Sequence, residues 1–215
     1  VVGAFGCPTI VNNLETLATI PTIVDMGGDN FSKLVRLHDI KDGGVRLYGV
    51  SGHVNKPGVY EAPVGITLRE LIDDLGGGVR KGRKLKAVIP GGSSTPVLRE
   101  EDVVHAPDPK HPLHRWHGKS HLDVPMGVDT MRALGTMLGT CCAIVMDDTT
   151  SMVRAAENLM LFYAHESCGQ CTPCREGCAW MARLCTKFAE GKATRQDLDT
   201  LLDVANNIMG NTICA

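Results

Sequence analysis

Apolar positions in the last third of the chain recur at helical spacing. Met152, Ala156, Leu159, Met160 and Tyr163 fall on one face of a helix, and Trp180, Met181, Leu184, Cys185 and Phe188 form the expected inner stripe of the next. Gly191 breaks that helix. Thr194 is placed to cap a third, with Leu198, Leu201, Leu202, Ala205 and Ile208 as its inward face. Asn211 and Thr212 then turn the chain so that Cys214 can return toward the first helix connection. These three helices predict a small bundle.

The middle of the chain has a shorter rhythm. Residues 45–50 are β-rich, and Asn55-Lys56-Pro57-Gly58 supplies turn chemistry before Val59 and Tyr60. Thr67 followed by Glu70 is a capping-box signature, opening a helix whose inward residues are Leu68, Leu71, Ile72 and Leu75 and which Gly76-Gly77-Gly78 stops. Residues 85–89 give another short strand, closed by Pro90-Gly91-Gly92. Near the start, Asn12 is the expected N-cap with Glu15 at the third helical position; Leu14, Leu17 and Ala18 continue the helix and Pro21 interrupts it. Residues 99–125 read as an irregular, solvated loop containing Pro107, Pro109 and Pro112. From 126 order resumes, with Met131, Leu134, Met137 and Leu138 on a helix face ended by Gly139. A continuous apolar run over 141–146 follows, and Asp147-Asp148-Thr149-Thr150 makes a polar turn. The pattern predicts an α+β protein.

Composition narrows the function. A formal charge of −2 gives no basic surface for nucleic acid or lipid, and no apolar run approaches a membrane span. Aromatic residues make up only 4%, so aliphatic side chains and methionine must fill the cores. Eight of the nine cysteines lie between positions 141 and 214, which assigns any thiol chemistry to the C-terminal part. Their odd number and the lack of a secretory signal argue against a disulfide framework and for a reducing compartment. Five histidines, His105, His111, His114, His117 and His121, crowd into one stretch, but their spacing matches no zinc pattern.

The chemistry concentrates in His165-Glu166-Ser167-Cys168-Gly169-Gln170-Cys171-Thr172-Pro173-Cys174-Arg175-Glu176-Gly177. A CxxCxxC run with one remote cysteine lets a short loop wrap one corner of an iron–sulfur cubane, each thiolate meeting a different iron. Cys214 is the remote candidate, and Cys168, Cys171 and Cys174 complete the expected [4Fe–4S] ligand set. A structural zinc site is the alternative. Cys7, Cys141, Cys142, Cys178 and Cys185 are expected to be ordinary thiols, Cys178 and Cys185 on or near the core stripe of their helix. No Ser/His/Asp or Cys/His constellation supports hydrolysis.

Residues 166–177 with Cys214 resemble the cluster-binding motif of the NADH-binding flavoprotein subunit of respiratory complex I. The resemblance extends, in the family's order, to residues 6–18, 51–55, 89–94 and 145–148. It implies a truncated end of an FMN- and NADH-binding domain over 1–28 and a ubiquitin-like β-grasp domain, of the soluble ligand-binding type, over 29–98. A linker over 99–125 and a helical [4Fe–4S] domain over 126–215 would follow. It implies that Asn12, Asn13 and Thr16 line the FMN pocket, and that NADH is the substrate of the full-length subunit, whose electrons pass through FMN and the cluster toward quinone. The implied partners are the other peripheral-arm subunits, especially the thioredoxin-like [2Fe–2S] subunit and the large iron–sulfur subunit. The implied location is the cytoplasmic face of the bacterial inner membrane or the mitochondrial matrix side, without direct membrane insertion. The chain opens on Val1 and is expected to be a fragment, inactive alone toward NADH. The diaphorase subunit of an NAD-linked hydrogenase or formate dehydrogenase shares these features. From another class, a zinc-stabilised β-grasp interaction module remains a distinct alternative.

Overall fold

A computed structural model describes residues 2–36 and 42–214. Residues 37–41, inside the expected 29–98 domain, lie outside the described residues. The chain forms two compact units, Val1–Val145 and Met146–Ala215.

The first unit is organised by a mixed five-stranded sheet with the order β2-β1-β5-β3-β4. Strand β1 (Val45–Gly52) pairs antiparallel with β2 (Gly58–Pro63) in the register Val45↔Pro63 to Val50↔Gly58. On its other side β1 runs parallel to β5 (Cys142–Asp147), with Gly49 opposite Cys142 and Gly52 opposite Val145. β3 (Leu85–Ile89) pairs antiparallel with the short β4 (Leu98–Arg99). The apolar run that sequence grouped with the C-terminal helices is therefore the central strand of this sheet. No residue of β5 is exposed on either face, which accords with 141–146 reading as continuous rather than alternating hydrophobicity.

Two short helices, α1 (Leu14–Met26) and α2 (Gly28–Ser32), precede the sheet. Pro21 lies inside α1 and does not end it; the helix continues with one backbone donor missing. Asn13, not Asn12, is the N-cap, its Oδ1 accepting the Glu15 N–H at 2.8 Å. Glu15 then reaches β1, where its Oε1 accepts the Leu47 N–H at 2.7 Å.

The expected capping box opens α3 (Leu68–Glu70). Thr67 Oγ1 accepts the Glu70 N–H at 3.1 Å, while Glu70 Oε2 accepts the Thr67 N–H at 2.9 Å. The helix widens through Leu71–Leu75, where the Gly76 N–H bonds back to the Leu71 carbonyl. Leu68, Leu71 and Ile72 are buried with Tyr48, Val50, Val88, Ala143 and Val145 in the main core.

Residues 99–125 are irregular, as their prolines require, but they are not a solvated loop. Val104, Ala106, Leu113, Trp116 and Val124 build a small core of their own. His117 Nδ1 accepts the Ala106 N–H at 3.1 Å, His111 Nδ1 accepts the Leu113 N–H at 3.1 Å, and His114 Nδ1 sits 2.9 Å from the Ala106 carbonyl. These histidines supply the hydrogen bonds that a segment without ladders lacks. Helix α4 (Val128–Ala133) is shorter than its apolar spacing suggests, because Gly135 turns at φ +78°.

The second unit is three helices, α5 (Met152–Glu166), α6 (Thr172–Ala189) and α7 (Arg195–Ile208). Asp147 and Thr149 make the expected polar turn, and Ser151 caps α5. Thr194 caps α7 in a box completed by Asp197. The expected inner faces hold in part, with Leu184 and Cys185 of α6 buried and Met181, Phe188, Leu201, Ala205 and Ile208 half-buried. In α6 the buried residues are Gly177, Ala182, Leu184 and Cys185, whereas Trp180 is half exposed. In α7 Val204 is buried and Leu198 and Leu202 face outward. The reason sits at Gly177: a methyl group there would lie 2.6 Å from Ile208 Cδ1 and 3.4 Å from Val204 Cγ1, so the glycine gap receives these two side chains and sets the face of α7.

Candidate metal centre

The connection between α5 and α6 carries the centre. Helix α5 ends with the Ser167 N–H on the Tyr163 carbonyl at 3.1 Å. Gly169 follows at φ +76°, a left-handed conformation that glycine adopts without strain, and donates its N–H to Ser167 Oγ at 3.3 Å. Cys171 is the N-cap of α6, and Pro173 occupies the first turn, where its missing N–H costs no helical bond. Arg175 laces the loop from that turn, donating from Nη1 to the Gly169 carbonyl at 2.7 Å and from Nη2 to Thr172 Oγ1 at 3.2 Å.

This geometry gives Cys168, Cys171 and Cys174 three different supports: loop, cap and helix. Cys168 is exposed, while Cys171 and Cys174 are half-buried. The start of α6 lies at Cys171 and Cys174. The chain's far end returns to the same place, with the Ile213 N–H directed at Cys171 Sγ at 3.5 Å. Cys214 is the next residue and is exposed. Local structure thus brings the remote cysteine beside the loop that holds the other three.

The donor set fits an iron–sulfur cluster. It is all thiol, it includes an N–H directed at the Cys171 sulfur, and two thiols stand at a helix start. Four thiolates can also hold a single zinc ion; a cubane differs in spreading its four ligands over separate irons.

Two residues outside the expected ligand set stand beside Cys174. Ser167 Oγ lies 3.3 Å from Cys174 Sγ, and Cys178 Sγ lies 3.7 Å from it. Burial, followed by the neighbouring Cys174 sulfur, pushes the Cys178 thiol up to about 11. Cys178 stands four positions after Cys174 on a helix, a spacing that brings the two side chains onto one face. Cys185, buried further along α6, has its thiol raised by burial and stands apart from the site.

The first unit holds a separate cavity of about 520 Å³, lined in part by Asn13, Thr16, Arg46, Gly139, Thr140 and Cys141. Asn13 and Thr16 are thus placed on its wall, whereas Asn12 is exposed and outside the lining. Cys141 adopts φ +56°, a strained backbone for a residue with a side chain, and burial raises its thiol.

The comparisons with known proteins follow the same division. Residues 154–215 match the NADH-ubiquinone oxidoreductase-F iron-sulfur binding region, and residues 46–111 match the SLBB domain. The chain is 45% identical over 215 residues to the F subunit of NADH-quinone oxidoreductase in Mycobacterium tuberculosis (strain ATCC 25618 / H37Rv), covering 100% of this chain and 43% of that protein. The corresponding protein of Streptomyces coelicolor matches equally, at 45% identity with 100% and 43% covered. That of Rhodobacter capsulatus is 44% identical over 99% of this chain and 45% of its own. The chain therefore spans less than half the length of these relatives. Among solved structures, an NAD+-reducing [NiFe]-hydrogenase in the H2-reduced state superposes with a TM-score of 0.76 and 30% identity, over 99% of this chain and 32% of that one.

Proposed function

Homology to the F subunit of NADH-quinone oxidoreductase runs the whole length of this chain, and on that premise we propose that it is an electron-transfer segment of an NADH:quinone oxidoreductase. Cys168, Cys171, Cys174 and Cys214 would hold a [4Fe–4S] cluster. The observation that carries the proposal is the return of the chain to the Cys171 sulfur, which brings Cys214 to the CxxCxxC loop.

Such a cluster, when bound, carries one electron and offers no open position for substrate. The chain's own residues would bind it: the start of α6 carries Cys171 and Cys174, and Arg175 fixes the loop. The electrons come, in this proposal, from FMN reduced by NADH and leave toward quinone. Asn13 and Thr16 would contribute the near wall of the flavin site, with Asn12 outside the cavity. The sheet order and the SLBB match support a β-grasp reading of the first unit, with β5 drawn in from beyond residue 98. The proposed partners are the thioredoxin-like [2Fe–2S] subunit and the large iron–sulfur subunit of the peripheral arm, on the cytoplasmic face of a bacterial membrane. Among the described residues no helix is long and apolar enough to cross a membrane.

A second reading, the diaphorase subunit of an NAD-linked hydrogenase, has one observation in its favour, the structural likeness to the NAD+-reducing hydrogenase. Anaerobic reconstitution tests the common ground. About four irons per chain and an EPR signal on reduction are expected. One zinc per chain without iron would sink both readings. The neighbouring genes separate them, quinone-reductase subunits against hydrogenase subunits.

A further inference from the structure

We propose that Ser167 and Cys178 donate hydrogen bonds to the Cys174 sulfur when it ligates iron, and that they raise the reduction potential of the centre. The inference rests on the cluster assignment above. Ser167 Oγ and Cys178 Sγ lie 3.3 and 3.7 Å from Cys174 Sγ. With Cys174 as a free thiol, either partner in each contact can be the donor. A ligating Cys174 is a thiolate and has no proton to give, so both hydrogens must come from Ser167 and Cys178.

The surroundings orient both donors. Ser167 Oγ already accepts the Gly169 N–H at 3.3 Å, and the left-handed Gly169 keeps that amide in place. The serine's one proton is then available to the sulfur. Cys178 sits one helical turn after Cys174 on the same face of α6, next to the buried Gly177. Support among the four ligands is uneven. Cys171 Sγ receives a backbone N–H at 3.5 Å, while Cys168 and Cys214 are exposed. Cys174 alone faces two side-chain donors from within the fold.

Reduction adds one negative charge to the centre, and donors aimed at a ligand sulfur stabilise that charge. Removing them therefore makes the centre harder to reduce. Both side chains act through Cys174, so they are positioning residues and touch no substrate.

The test is redox titration of the reconstituted chain, followed by EPR, with iron measured on each sample. Ser167→Ala is expected to keep its iron and shift the one-electron equilibrium about tenfold toward the oxidised form, about 59 mV. Cys178→Ala should shift it the same way but less, because a thiol is a weak donor, and the double variant should approach the sum. Ser167→Thr, which keeps the hydroxyl, and Cys178→Ser, which replaces the thiol donor with a hydroxyl, should show no such shift toward the oxidised form. Alanine variants at the parent potential would overturn the proposal, and so would Thr and Ser variants displaced as far as alanine. For any variant that loses its iron, electron–nuclear double resonance on the parent in D2O decides. Exchangeable protons coupled to the centre are expected, and their absence overturns the proposal. A parent that takes up no iron overturns the cluster assignment itself, and this inference falls with it.

Discussion

The sheet unit and the helical unit are held together by different means. In the first, Tyr48, Leu68, Leu71, Ile72, Val88 and Val145 are buried in one continuous cluster that reaches from β1 to β5. In the second, α5 buries no residue outright, and α6 and α7 bury Gly177, Ala182, Leu184, Cys185 and Val204. Three helices with so little apolar burial are a marginal core. The proposed ligand set would join the start of α6 to the segment after α7, where the Ile213 N–H meets the Cys171 sulfur, so in this unit the cluster's bonds would stand where the sheet unit has packed side chains. On that proposal function and stability would share atoms in one region and be separable in the other.

The strongest challenge to that contrast is removal of the metal. Cys171→Ser is expected to abolish iron binding and to strip amide-exchange protection from α5, α6 and α7 while β1, β3 and β5 keep theirs. The loss should be several kcal/mol in the helical unit, the class of effect associated with a missing metal. Equal protection with and without iron would show that the helices need no clasp.

The converse variant is Leu71→Ala, at a side chain that is 0% exposed. It should destabilise the sheet unit by about 2–5 kcal/mol and leave iron content unchanged. The two tryptophans make the measurement selective, since Trp116 lies in the small core of the first unit and Trp180 on α6. Urea titrations of the single-tryptophan chains report each unit separately. Iron lost in step with the Trp116 transition would refute the separation.

Gly177→Val sharpens the picture within the helical unit. The added side chain meets Ile208 and Val204, and the expected cost is about 1–3 kcal/mol, read at Trp180. Ile208→Ala should relieve part of it.

The smallest effect concerns acid. The hydrogen bond from Lys187, and after it those from the Thr194 N–H and hydroxyl, lower the Asp197 carboxyl to about 2. Its folded value lies below the ordinary one, so its contribution is complete above about pH 4 and is lost as pH falls toward 2. Circular dichroism of the iron-loaded chain should show α7 fraying over that window, and Asp197→Asn should remove this dependence.

Local chemistry was legible in the sequence, and long-range choices were not. The box of Thr67 and Glu70, the Thr194 cap and the short non-helical loop ahead of α6 each depend on residues a few positions apart, and each formed as expected. The place of β5 depends on pairing between residues 49–52 and 142–145, a partnership that no local pattern states. The face of α7 differs from the expected one at Leu198 and Leu202, because the gap at Gly177 on another helix receives Val204 and Ile208. Asn13 took the cap expected of Asn12 because either amide can cap, and a one-residue shift brings Glu15 to the Leu47 amide. Cys178 has a spacing that fits a core stripe as well as a contact with Cys174, and only the fold separates the two.

The return of the chain to Cys171 also has a topological meaning. With the ligands engaged, Cys171 and Cys214 become two points on one closed ring, and the α6–α7 hairpin is the length of chain inside it. Tension along the backbone then passes from Cys171 to Cys214 through coordination bonds and bypasses both helices. Pulled from its ends, the iron-loaded chain should release the hairpin's contour length in a single late step, when a ligand bond breaks. A clip in the turn over 191–194 should cut the backbone there and leave both pieces tethered.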